Sequence, residues 1–302
     1  MKHVVSFSGG RTSAYMVYLM EQKRINDGWD VHYVFCDTGA EHPKTYDFIK
    51  NVVKHFGIKI TCLKTSIPKE FGKGPVFNTI DIDSIGWDLS VMKDMVTKYG
   101  NFTVSRPKCT DRLKTVILDK WRKAEFGKGN YYTWLGIRAD EPRRLKFAND
   151  NHDLFTKKVK NPQKIRYLAE ISDATKQDIL DWWSAQPFDL EIEEHLGNCV
   201  FCVKKSDIKI ARAAREEPEL FEQWNEVMTG DHVRLVDSDK HGIGKIYRKW
   251  LSPKELIATF ADTPDEKLIK TQKQTAKFDE GSCSESCEAI QGQWDLFEDD
   301  AA

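Results

Sequence analysis

The chain has 302 residues, 40% of them hydrophobic, with 46 Lys and Arg against 47 Asp and Glu. That length suits one large domain or a main domain with a smaller one, and a formal net charge of −1 gives no whole-protein bias toward nucleic acid or a membrane surface. No apolar run approaches the roughly 18 residues of a membrane span, and Gly9-Gly10 cut the first apolar run short of a signal peptide; the expectation is a cytoplasmic protein with no membrane partner.

The first half alternates. VVSF (4–7) reads as a short strand, and TSAYMVYLMEQKR (12–24) as a helix with apolar residues on most sides, hence well buried. VHYVFC (31–36) is a second strand. Pro43 suits the first turn of a helix, in which Phe48, Ile49, Val52, Val53 and Phe56 recur at helical spacing. IKITCL (58–63) is a third strand. This alternation predicts a parallel, doubly wound α/β sheet covered on both faces. Residues 65–86 read as a Gly/Pro-containing insertion, 88–99 as a helix, and a further helix starts near Cys109 with Leu113, Val116, Ile117, Trp121 and Ala124 on one face. YYTWLGI (131–137) is a strong strand, and RYLAEI (166–171) is read as another.

From about 173 the texture turns helical, through TKQDILDWWSAQ, SDIKIARAAREE, PELFEQWNEVM and SPKELIATF. The expected division is a nucleotide-binding domain over 1–172, a helical region over 173–278 and an acidic, flexible tail over 279–302. That tail holds eight acidic residues, and no basic one follows Lys277.

Functional residues gather at the predicted strand ends. Directly after the first strand stands S-G-G-x-x-S: Ser8, Gly9, Gly10, Arg11, Thr12 and Ser13. Glycines let a backbone approach an anion, and a helix N-terminus offers N–H groups and a positive dipole end. Ser8 and Ser13 can add hydroxyl donors, and Arg11 can grip phosphate bidentately. Asp37, Thr38, Gly39 and Glu41 follow the second strand, at the edge where open α/β sheets bind ligands. RPKCTDRLK brings Lys108, Arg112 and Lys114 to a helix start, and GIRADEPRR places Arg138, Asp140, Glu141 and Arg144 past the fourth clear strand.

Of seven cysteines, Cys36 and Cys62 end apolar runs and read as core. An odd count in a cytoplasmic chain argues against a disulfide framework. Cys199-x-x-Cys202 has metal-ligand spacing; Cys109 gives a third thiolate, and Cys283 or Cys287 a fourth. All-cysteine coordination suits zinc or an iron–sulfur cluster.

S-G-G-x-x-S, D-T-G-x-E followed by a proline and T-Y-x-F-I, C-T-x-x-L-K and G-I-R-x-D-E together resemble the phosphoadenosine phosphosulfate reductase-like family of the adenine nucleotide alpha-hydrolase, or PP-loop, superfamily. The match covers roughly residues 1–145, and the nearest type is the DNA-phosphorothioation ATP pyrophosphatase. The resemblance implies ATP or a related adenine nucleotide with phosphates on Ser8–Ser13 and its adenine end near Asp37. It implies Lys114 and Arg138 as phosphate or sulfate contacts. Asp37 and Glu41 would position Mg2+ through phosphate oxygens, and Gly39, Thr38 and Arg112 would border the nucleotide. It favours a [4Fe-4S] cluster over zinc on Cys109, Cys199, Cys202 and Cys283. Relatives usually carry aspartate and lysine where this chain has Thr12 and Arg11. Cluster-bearing reductases have a double cysteine where only Cys109 stands, and a C-terminal motif unlike GSCSESCEA.

Three readings follow. One is an enzyme cleaving ATP to AMP and pyrophosphate to activate a substrate, with DNA or tRNA as candidate. The second is a sulfonucleotide reductase. The third is a non-catalytic nucleotide-binding subunit or sensor. Gln293-Trp294-Asp295-Leu296-Phe297 resembles the peptide by which bacterial proteins dock on the DNA sliding clamp; its apolar residues could equally fold back on the protein's own surface.

Overall fold

A computed structural model describes residues 1–101, 103, 107–145, 164–235, 247–249 and 251–275. Cys283, Cys287 and the 293–297 peptide lie outside the described residues. The chain runs β1 (Lys2–Ser6), α1 (Arg11–Asp27), β2 (Val31–Asp37), α2 (Pro43–Phe56), β3 (Ile60–Ser66), β4 (Val76–Ile80) and α3 (Ser90–Tyr99). A short α4 (Lys108–Thr110) leads through a π-helical turn (Asp111–Thr115) into α5 (Val116–Phe126), followed by β5 (Tyr131–Leu135) and β6 (Ile165–Tyr167). The remaining helices are α6 (Lys176–Ser184), α7 (Asp207–Glu216), α8 (Pro218–Thr229), α9 (Pro253–Ala258) and α10 (Asp265–Thr275).

The six strands lie in the order β4-β3-β2-β1-β5-β6. β1 pairs in parallel with both β2 and β5, β2 with β3, and β5 with β6. The sheet is therefore the expected α/β doubly wound type. The order in which strands are added reverses at β1, which opens a crevice beyond the carboxyl ends of the parallel neighbours β1 and β5.

Two expectations need correction. The 65–86 stretch is not only an insertion: Val76–Ile80 adds an antiparallel edge strand to β3, in register from Cys62 opposite Ile80 to Ser66 opposite Val76. RYLAEI is a strand only at its start. After Tyr167 the chain turns into a 3-10 helix, Leu168–Glu170, because the Glu170 carboxylate accepts the Tyr167 N–H at 3.0 Å and closes the turn.

Two cores hold the layers. α1, α2 and α6 bury Met16, Val17, Met20, Phe48, Ile49 and Trp183 against one face of the sheet. The other large core joins α3, α7 and α8 to the Cys199–Val203 loop, with Val200 and Phe201 fully buried. Trp183 ties α6 to the start of α1. Its ring meets Phe48 at 4.9 Å, and its Nε1–H donates to the Arg11 carbonyl at 3.0 Å. Cys36 and Cys62 are buried as core residues. Among the described residues, no helix is long and apolar enough to cross a membrane.

Trp183→Ala should cost about 3–5 kcal/mol in urea unfolding, the scale of a deleted buried aromatic. Trp183→Phe should cost less but still register, since it keeps the apolar volume and loses the bond to the loop.

Candidate nucleotide site and thiol cluster

The glycine loop is built to stay open. Gly10 caps α1 with extended backbone and no side-chain hydrogen bond, so the N–H groups of the first turn are not satisfied by a side-chain cap. Gly9 has φ +82°, and a Cβ there would stand 2.9 Å from Thr45 Cγ2 and 3.0 Å from Ile49 Cδ1. Only glycine suits that contact and that backbone. Ser13 holds the loop's shape. Its hydroxyl donates to the Gly10 carbonyl at 2.9 Å and accepts from the Ser8 N–H at 3.2 Å and the Ser8 hydroxyl at 2.9 Å. Both hydroxyl protons lie inside the loop, where Ser8 and Ser13 shape the cradle.

Arg11 also departs from expectation. Its guanidinium turns away from the loop and binds the Asp189 carboxylate bidentately, Nε to Oδ1 at 2.7 Å and Nη2 to Oδ2 at 2.9 Å, with a further bond to the Leu190 carbonyl. The fork expected on phosphate holds a carboxylate instead, a ligand of the same planar geometry. Across the crevice, Arg138 reaches back from the end of β5. It donates to Thr12 Oγ1 at 3.3 Å while pairing with Asp140 at 2.8 Å. A cavity of about 160 Å3 lies over the loop; Gly9, Gly10, Arg11 and Thr12 line one side, and Lys176, Glu194 and Asn198 contribute to the rest.

The second cluster follows β2. Asp37 is fully buried; its Oδ1 accepts from the Gly39 N–H at 2.9 Å and the Tyr46 hydroxyl at 3.0 Å, while Oδ2 has no partner among the described residues. Gly39 is obligatory there: φ is +71° and a Cβ would come within 1.9 Å of the Asp88 carbonyl oxygen. Glu41 accepts at Oε2 from Thr38 Oγ1 at 2.8 Å and from Tyr46 at 3.1 Å, and at Oε1 from Lys114 Nζ at 3.3 Å. Tyr46 has one proton for two carboxylates. Burial, reinforced by Glu41, pushes Asp37 up to about 6. A buried carboxylate pair with an orphaned oxygen fits a divalent cation.

The third cluster joins the second. Glu41 and Cys199 form an antiparallel bridge, and the Val200 N–H donates to the Ala40 carbonyl at 2.9 Å. Cys199 Sγ therefore lies 3.8 Å from Glu41 Oε1 and 3.6 Å from Thr38 Oγ1. The CVFC turn is clamped by cations on its carbonyls. Buried Lys205, pushed down to about 8 by burial, donates to Val200 and His195 oxygens at 2.8 and 2.6 Å. Arg248 donates to the Val203 and Lys205 oxygens, each at 2.7 Å. Cys109, Cys199, Cys202 and Lys114 line one small cavity. Tetrahedral zinc, with Zn–S of about 2.3 Å, needs sulfurs about 3.8 Å apart. Among the described residues these thiols do not form a set within 4.8 Å of one another.

Arg112 is not drawn to the loop: it lies over the Tyr99 ring at 5.6 Å, with Asp111 at 3.2 Å. Residues without an assigned sequence role also enter. Tyr46 sits inside the quoted T-Y-x-F-I run and could have been noticed there. Asp189 and Lys205 carry no local signal, since their partners are 178 residues away for one and backbone carbonyls for the other. Glu193, His195 and Glu216 place ligand atoms within 4.8 Å, but Arg212 bridges both carboxylates at 2.8 and 3.0 Å and supplies the positive charge itself.

The Asp37 shift from 3.8 to about 6 corresponds to about 3 kcal/mol. The native state keeps this proton longer than the unfolded chain. Asp37's own contribution to stability is therefore fully present below about pH 4 and is lost as pH rises through about 6. In chelator-containing buffer, Asp37→Asn should remove this fall. Urea unfolding should show the variant gaining roughly 2–3 kcal/mol on wild type between about pH 4 and pH 8.

Residues 2–73 match the family model described as "Phosphoadenosine phosphosulfate reductase domain". Over 301 residues, 98% of each chain, the sequence is 48% identical to the "Uncharacterized nin region protein ORF290" of Escherichia phage lambda. No solved structure matches the chain. With a mostly parallel sheet, a glycine loop at its switch point and that N-terminal match, the chain belongs to the same family as the phage lambda nin region protein.

Proposed function

We propose that this protein is a PP-loop enzyme that cleaves ATP between the α and β phosphates, releasing pyrophosphate and activating a substrate as its adenylate for sulfur transfer or nucleic-acid modification. The type intended is that of the DNA-phosphorothioation ATP pyrophosphatases. The observation that carries this reading is the α1 N-terminus, without a side-chain cap, facing the β1/β5 crevice with Arg138 reaching Thr12 across it. The first-turn N–H groups and the helix dipole would hold the leaving pyrophosphate. Arg138 and Lys114 would stabilise charge as an acceptor oxygen bonds to the α-phosphorus and the bond to the β-phosphate oxygen breaks. Asp37 and Glu41 would hold Mg2+, which when bound offsets phosphate charge. Cys109, Cys199 and Cys202, which line one cavity, would hold an iron–sulfur cluster with a fourth ligand such as Cys283.

Incubation with α-labelled ATP and Mg2+ and no added substrate should yield AMP and pyrophosphate, with water as the acceptor of the adenylyl group. Lys114→Met should lower the rate by about 100-fold or more, with circular dichroism checking the fold. Sulfite from adenosine phosphosulfate plus reductant would favour the reductase reading instead. Nucleotide binding with neither product would favour a binding subunit, and no nucleotide binding would refute all three.

The pairing of Arg11 with Asp189 makes a separate prediction. Asp189→Asn removes the competing charge, so calorimetry should show pyrophosphate binding about tenfold more tightly than to wild type.

A further inference from the structure

We propose that the corner at the C-terminal end of α3 is a binding surface for a single-stranded polynucleotide, with Phe71 and Tyr99 as stacking platforms. This deepens the proposed function by naming the substrate class, and rests on it only for the chemistry that binding would serve.

Phe71 is the most exposed large hydrophobic side chain among the described residues, at 73%. Folding gains little from a ring left in water, yet the segment presenting it is tightly built. Lys98 Nζ donates to the carbonyls of Pro68, Glu70 and Lys73, tying that segment to α3. The Lys98 carbonyl in turn accepts from Arg234 Nη1 at 2.9 Å, and the Arg234 N–H donates to the Val96 carbonyl at 3.1 Å. This places the Arg234 guanidinium 4.7 Å from the Phe71 ring centre. A second pair stands at the same helix end, Arg112 over Tyr99 at 5.6 Å.

Residues 69–73, 108–112 and 234 hold five cations, Lys69, Lys73, Lys108, Arg112 and Arg234, and two acids; Lys98 beside them is buried and spent on the three carbonyls. Glu70 is already paired with Lys73, and Asp111 with Arg112 at 3.2 Å. The corner is thus locally basic in a chain of near-zero net charge. Proteins that hold single strands combine a cationic track for the backbone with aromatic faces for the bases. An acidic protein partner would use the charge but not two arginine-backed rings. Arg112 stands three residues beyond Cys109, which lines the thiol cavity.

The test is fluorescence anisotropy on the full chain, without nucleotide. It would use labelled single-stranded DNA of about 20 nucleotides, RNA of the same sequence, and duplex DNA. Single strands should bind more tightly than duplex, and the DNA and RNA arms identify the natural strand. Phe71→Ala should weaken binding about tenfold while Phe71→Trp retains it. Arg234→Ala should weaken it and lower the salt slope by about one between roughly 50 and 200 mM. Unchanged melting temperatures would exclude misfolding at these exposed sites. Absence of binding, equal or tighter duplex binding, or indifference to both substitutions would overturn the proposal. ATP cleavage by Phe71→Ala, measured without acceptor, should equal wild type. Strand binding without any ATP cleavage would overturn the catalytic reading and leave this one standing.

Discussion

The backbone bridge between Glu41 and Cys199 is the link on which the rest of the site depends. It joins the turn after β2 to the CVFC loop, 158 residues further on. Through it a thiol, a carboxylate pair and Lys114 share one buried environment. A buried backbone segment must satisfy its own polar groups, and these two do so on each other: the Val200 N–H is taken by the Ala40 carbonyl. The loop then needs no secondary structure of its own, and Lys205, Tyr247 and Arg248 hold its Val200, Phe201 and Val203 carbonyls.

Charge at the site is largely balanced internally. Arg11 is held by Asp189, Lys114 by Glu41, and Arg138 by Asp140. A phosphate group arriving at the cradle would compete with carboxylates already seated on these cations. Such exchange limits raw affinity but favours ligands that bring several charges at once, or a cation that takes the carboxylates in return. Asp37 is the exception: its Oδ2 is buried without a partner among the described residues. An unpaired buried oxygen is costly unless it is protonated or meets a cation, and burial accordingly holds the Asp37 proton to higher pH.

The fold was legible where local pattern suffices. Apolar runs ending in Gly or Asp became β1, β2 and β5, and the helical spacing of Phe48, Ile49 and Val52 became the buried face of α2. β4 was missed because an edge strand with no fully buried residue, only Phe77 and Ile80 half-buried, lacks a hydrophobic run. RYLAEI was over-read because strand propensity cannot register Glu170 closing a turn onto Tyr167. At the site, Gly9, Gly10, Asp37, Glu41 and Arg138 follow strand ends, which sheet topology gathers to one edge, and Lys114 stands at a helix start.

By itself, then, the sequence determined the sheet, the glycine loop at its edge and the polar clusters beside it, since period, turn residues and strand ends are local properties. Only the tertiary structure decided how those side chains are used. It turned Arg11 onto Asp189, spent Ser13 on shaping the loop, and set Cys199 against Glu41. Those outcomes depend on partners 158 and 178 residues away and on which hydrogen bonds are already taken, and no local pattern carries that information.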